Sequence, residues 1–161
     1  MKVLFAILLL IAVLIQDAPA LAKPSNESPL IGSWAVDVSR LPIPPTARPK
    51  RVTITFGDAG SGKLTTRVEI IDAGGAKNHA EATAPLDGTP VSVKGSMETD
   101  ISAVKMPTPN VLVMQLGKGG IPASTRIYTV AADGKTMIET AAYFEKDGRP
   151  VLRTSYFTRL R

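Results

Sequence analysis

Apolar and polar residues alternate with period two along most of the chain beyond residue 30. Val52, Ile54 and Phe56 alternate with Thr53 and Thr55, and Val68 and Ile70 with Arg67 and Glu69. Leu112, Met114 and Leu116 alternate with Val113 and Gln115, and Ile127 and Thr129 with Tyr128 and Val130. The stretch 151–160 extends the pattern with Thr, Tyr and Phe. Period two in β-branched and aromatic residues predicts strands, and no segment here keeps the i, i+3, i+4, i+7 spacing of an amphipathic helix. Strands are expected near 32–38, 50–56, 64–71, 77–84, 90–95, 97–106, 110–116, 122–131, 136–144 and 150–160.

The breaks agree with that division. Asp87-Gly88, Asp133-Gly134 and Asp147-Gly148 are hairpin signals, because type I′ turns need φ > 0 at both central positions. Gly57–Gly62 and Asp72–Gly75 are looser glycine turns, and Pro107–Asn110 is a further break. Short connections make sequence neighbours into spatial neighbours. The expected fold is therefore all-β, an antiparallel up-and-down β-barrel of about eight to ten strands, because closing the sheet removes two exposed edges. One connection differs. Ser39–Pro49 carries Pro42, Pro44, Pro45 and Pro49, which stiffen it and forbid ladder pairing. It reads either as a lid over a barrel mouth or as a surface loop.

Residues 1–22 break the alternation. Lys2, the apolar run Val3–Ile15 and the small-x-small site Ala20-Leu21-Ala22 form a secretory signal. The run is shorter than the roughly 20 residues a membrane-spanning helix needs. The expected organisation is a cleaved signal peptide at 1–22, a flexible segment at 23–29 and one barrel domain at 30–161, soluble and periplasmic or secreted. The chain has no cysteine, so neither disulfides nor a thiol-linked lipid contribute.

The net charge of +5 is unchanged when the leader is removed, since Lys2 and Asp17 leave together. The basic residues gather loosely at Arg48, Lys50 and Arg51 and again at Arg149, Arg153, Arg159 and Arg161. Such a face keeps a protein soluble or draws it to an anionic membrane surface. Nucleic acid is not expected of an exported chain this poor in aromatic residues.

The first strand opens Gly32-Ser33-Trp34-Ala35-Val36-Asp37 and holds the only tryptophan. The proline-rich loop follows it, Ala132-Asp133-Gly134-Lys135-Thr136-Met137 leads a late strand, and Tyr156-Phe157-Thr158-Arg159 closes the chain. In these features the chain resembles the lipocalin-like, calycin-type barrels, in particular short exported bacterial proteins of that kind, mostly uncharacterised. The resemblance implies that Trp34 plugs the closed end of a barrel with Arg159 packed across it. Gly32, Trp34 and Arg159 are then structural. An arginine over an indole face gains about 0.5–2 kcal/mol.

Candidate chemistry is sparse. Gly57-Asp58-Ala59-Gly60-Ser61-Gly62-Lys63 resembles a phosphate loop up to its lysine, but Leu64 stands where Ser or Thr should hold magnesium, and a strand follows in place of a helix. His79 is the only histidine; with Glu81 it forms either an acid–base pair or part of a polar outer face, since Ala80, Ala82 and Ala84 take the opposite parity. One histidine and no cysteine leave little for a catalytic triad or a zinc site. Glu98 with Asp100, and Glu139 beside Met137, are carboxylates of shared strand parity, read as exposed charges ahead of a glycosidase pair. No catalytic residue, metal site or cofactor is expected.

What remains is the barrel interior. Parity selects Val36, Phe56, Ile70, Met114, Ile127 and Phe157 as its lining. Arg153, with Arg126, Tyr128, Tyr143 and Tyr156, is a polar-tipped candidate for orienting a ligand. The expected function is binding of a small apolar or amphipathic molecule of the lipid or fatty-acid class inside the barrel. The alternatives are a cell-envelope interaction protein acting through its basic face and, behind it, a calycin-shaped enzyme.

Overall fold

The computed structural model describes residues 28–161; the expected leader and most of the segment after it lie outside them. Ten antiparallel strands form one sheet: β1 (Gly32–Val36), β2 (Arg51–Asp58), β3 (Lys63–Ile71), β4 (Lys77–Pro85), β5 (Val91–Ser92), β6 (Ile101–Thr108), β7 (Val111–Lys118), β8 (Ile121–Val130), β9 (Thr136–Phe144) and β10 (Pro150–Arg159). The order is β4-β3-β2-β1-β10-β9-β8-β7-β6-β5, so the last strand returns to pair with the first. The two outer strands meet where Glu81 and Lys94 exchange backbone hydrogen bonds of 2.9 Å, nearly closing the barrel.

Two glycine turns differ from the expected type. Gly134 (φ 63°) and Gly148 (φ 83°) are left-handed, but Asp133 and Asp147 are not. The β9–β10 connection is a three-residue loop, with Glu145 N bonded to Arg149 O and Gly148 N to Glu145 O. The aspartate serves as a side-chain cap, Asp147 accepting from Arg149 N and Asp133 from Lys135 N and Thr136 N. The Asp87-Gly88 hairpin is barely zipped, because beyond Glu81 and Lys94 its arms separate and Asp87 bridges to Lys105 instead. β6 starts at Ile101, so Glu98 lies in the connection before it and does not share a strand with Asp100.

Alternation sorts the two faces. Trp34, Phe56, Leu64, Val104, Leu112, Met114, Tyr128, Met137 and Phe157 turn inward as a continuous core. Outward, Ser33 bonds Thr55 and Thr65 bonds Thr83 across neighbouring strands. Arg67 pairs with Glu81 at 2.7 Å on this face. His79 is exposed there, and the phosphate-loop-like segment is the exposed β2–β3 turn, with Asp58 accepting from Gly60 N.

The end where β1 begins is plugged. Trp34 is fully buried, and its indole N–H donates to Leu30 O at 2.9 Å. The Arg159 guanidinium carbon lies 4.1 Å from the ring centroid. Its nitrogens donate to Gly134 O (2.6 Å), Ile31 O (2.7 Å) and Pro29 O. Ser28 and Pro29, expected in a flexible segment, are therefore held to the barrel; Ser28 also bonds Pro109 O.

Candidate functional site

Burial falls from the plugged end toward the opposite mouth. Near the plug, Phe56, Tyr128 and Phe157 pack edge to face, with centroids 5.3 and 6.2 Å apart. With Leu30, Trp34 and Leu64 also buried, this trio fills the lower barrel. Toward the mouth the inward residues Val36, Val68, Ile70, Ser124, Arg126, Tyr143, Val151 and Arg153 are only half-buried. The first potential contact surface for a ligand is this upper half.

A polar network forms its floor. The Tyr128 hydroxyl donates to Glu139 Oε1 at 2.9 Å, and Arg126 Nη1 lies 3.4 Å from the same oxygen. Arg126 Nη2 reaches Glu98 Oε2 at 3.2 Å, and its Nε points to Ser124 Oγ at 3.4 Å. The two carboxylates differ sharply in exposure, 9% for the Glu139 side chain and 76% for that of Glu98. Burial of the Tyr128 phenol, reinforced by the Glu139 charge, pushes its pKa well above the ordinary value. Burial works against the charge of Arg126, but the Glu139 and Glu98 carboxylates offset it and favour the protonated guanidinium.

Beside the network the wall is split. β8 and β9 pair from Val130↔Met137 to Thr125↔Ala142 and no further, although both strands continue. β8 stays with β7 and β9 with β10, and the two hairpins diverge. The gap is a cleft of about 480 Å³, lined by the inward-facing Ser124, Tyr143 and Val151 and the outward-facing Thr125, Phe144 and Leu152. Ile121, Phe144 and Leu152 leave an apolar rim exposed around it.

The expected lining residues fall into three groups. Phe56, Met114 and Phe157 turn inward but are consumed by the packed core. Val36 and Ile70 turn inward and remain half-buried near the mouth, as does Arg153, whose guanidinium lies 5.6 Å from the Tyr143 centroid. Ile127 does not line the barrel. It is 40% exposed, because β8 turns Tyr128 and Val130 inward and the alternation sends Ile127 out. Tyr156 is likewise outward, with Arg40 of the proline loop stacked 3.3 Å from its centroid. That loop forms two short 3-10 turns, Val38–Arg40 and Pro45–Ala47, with no buried residue in either.

The contact of Glu98 with Arg126 and the cleft are not visible to pattern reasoning, which reads Glu98 only as an exposed charge. The pairing of Glu139 with Tyr128 could have been found, since a hairpin centred on Asp133-Gly134 places these two residues opposite each other. Nothing in the sequence signals that Glu98 reaches Arg126 from a different connection. Among the described residues, no group of three or more His, Asp or Glu side chains is arranged to hold a metal.

No protein-family profile and no curated protein matches the chain. Among solved structures it is similar to a mutant of the fluorescent protein UnaG, at 14% identity over 80% of this chain and 94% of that one, with a TM-score of 0.52. The shared property is the fold. The likeness and the ten-stranded near-closed sheet agree on an antiparallel up-and-down β-barrel.

Proposed function

We propose that the protein is an exported barrel that holds one small apolar or amphipathic ligand in its upper half, between the aromatic trio and the mouth. The observation that carries this reading is the split wall beside Arg126. A cleft of about 480 Å³ falls within the range of small-molecule sites, and its lining is mostly apolar, with Ser124, which lies within reach of Arg126 Nε, among its few polar groups. A barrel built only for stability has no use for a half-buried arginine next to an open seam, because buried charge costs free energy unless paired. The filled lower half limits the ligand's size and keeps it near the mouth.

Titration with a fluorescent long-chain fatty acid tests the reading. Saturable binding at one site per chain, displaced by unlabelled fatty acid, is the expected result. Absence of saturable binding, together with native mass spectra of the secreted protein free of any carried ligand, would overturn it.

A further inference from the structure

We propose that Glu98 is a built-in place-holder for the acidic head of the ligand, and that binding exchanges the Glu98 carboxylate for the ligand's carboxylate at Arg126. The ligand class is then a single-chain amphipathic acid, with its head at Arg126 and its chain along the β8–β9 cleft. The inference rests on the barrel-ligand reading and specifies its chemistry.

Arg126 faces two carboxylates with different tasks. Glu139 is buried, accepts from both Tyr128 and Arg126, and belongs to the floor of the site. Removing it from Arg126 would strand a buried charge. Glu98 is three-quarters exposed and makes a single contact, to Arg126 Nη2. Exposed pairs of this kind are weak, so releasing Glu98 into water costs little. One carboxylate replaces another, and the charge around Arg126 is unchanged by the exchange.

The segment that carries Glu98 is built to let go at one point only. Thr99, next to it, is buried, and its hydroxyl is within hydrogen-bond reach of Ile101 O (2.9 Å) and Gly117 O (2.7 Å). Ser96 Oγ accepts from the backbone N–H groups of Glu98 and Thr99. The backbone is thus pinned on both sides of a side chain that stays free to swing away. Met97 beside it is exposed. Continuity with the cleft comes through Ser124, which lines the cleft and lies within reach of Arg126 Nε.

The discriminating pair of probes is a fluorescent long-chain fatty acid and its methyl ester, titrated against wild type and Glu98→Gln. With the competing charge removed, the variant should bind the acid about two- to fivefold more tightly, the worth of an exposed ion pair, and bind the ester unchanged. The side-chain carboxyl resonance of Glu98 should shift when the acid binds to wild type and stay level with the ester, while the backbone amides of Glu98 and Thr99 stay protected. Equal effects on both probes, or an unchanged affinity for the acid, would overturn the place-holder role while leaving the barrel-ligand reading intact. If neither probe binds either form, the barrel-ligand reading itself fails. Glu98→Gln touches no buried group, so loss of the fold does not confuse the result.

Discussion

Arg159 occupies the space that a side chain on Gly32 would need. A Cβ built on Gly32 would sit 2.6 Å from Arg159 Nη1, and the glycine has φ +129°. The glycine of the Gly-x-Trp start is therefore required twice, once for its backbone and once for the arginine that covers Trp34. Gly32→Ala should cost about 1–3 kcal/mol from backbone strain, with the clash added. Thermal unfolding of Gly32→Ala, Arg159→Ala and the double variant checks this. The double variant should lose less than the sum of the singles, because the clash disappears with the guanidinium.

Trp34 carries the plug. It is fully buried, and its indole N–H is bonded to Leu30 O. Trp34→Ala should destabilise by about 3–5 kcal/mol. Trp34→Phe keeps much of the volume but strands a carbonyl, and should cost at least the ~1 kcal/mol of one hydrogen bond. Denaturant titration separates the two values.

Alkaline pH should unfold the protein through Tyr128. Its folded pKa is raised above the unfolded value of about 10, so the folded state binds the phenol proton more tightly. That stability is fully present below pH ~10 and is lost progressively as pH rises above it. Absorbance at the phenolate band should show Tyr128 ionising only with unfolding. Tyr128→Phe should remove that alkaline step, at a cost at neutral pH from Glu139 losing its donor.

The β4–β5 gap depends on Gly95. A Cβ there would lie 2.4 Å from His79 O, and Gly95 has φ +77°. Gly95→Ala should push the strand edges apart at Glu81 and Lys94, the only two backbone bonds between β4 and the segment leaving β5. Faster hydrogen exchange at those two amides, with the Trp34 end unaffected, is the expected signature. Unchanged exchange at both would show that the closure does not depend on the missing side chain.

Closing the split wall should slow ligand exchange. Extending the β8–β9 register beyond Thr125↔Ala142 places Ser124 opposite Tyr143. The chain has no cysteine, so a Ser124→Cys/Tyr143→Cys pair gives one unambiguous disulfide. Oxidation should slow association and dissociation of the fluorescent fatty acid together, and reduction should restore both. Rates indifferent to the redox state would place the entry route at the barrel mouth.

Much of the architecture is legible in the sequence, because strand alternation and turn residues are local signals. The ten strand positions follow from period two, and the up-and-down order follows from short connections such as Asp133-Gly134. Facing is less secure, because parity must be anchored at one residue. Taking Ile127 as inward reverses β8 and hides Tyr128 and Arg126, whereas counting back from Asp133-Gly134 would have set them opposite Glu139 and Ala141. The site itself is non-local. Glu98 meets Arg126 across 28 residues of chain, and the cleft opens where the β8–β9 ladder stops at Thr125↔Ala142 although both strands run on. An interaction that depends on a connection reaching a strand distant in sequence leaves no periodic trace.

The plug also sets the direction in which the molecule can be held. Ser28 leaves the barrel beside Pro109, and Leu160 donates its N–H to Ser33 O, so both ends of the described chain emerge at the closed end. A tag, fusion partner or surface attachment at either terminus hangs the barrel by its base. Immobilised that way, every copy presents Arg126, the cleft and the mouth away from the support, and ligand exchange can be measured on oriented molecules without touching a residue of the site.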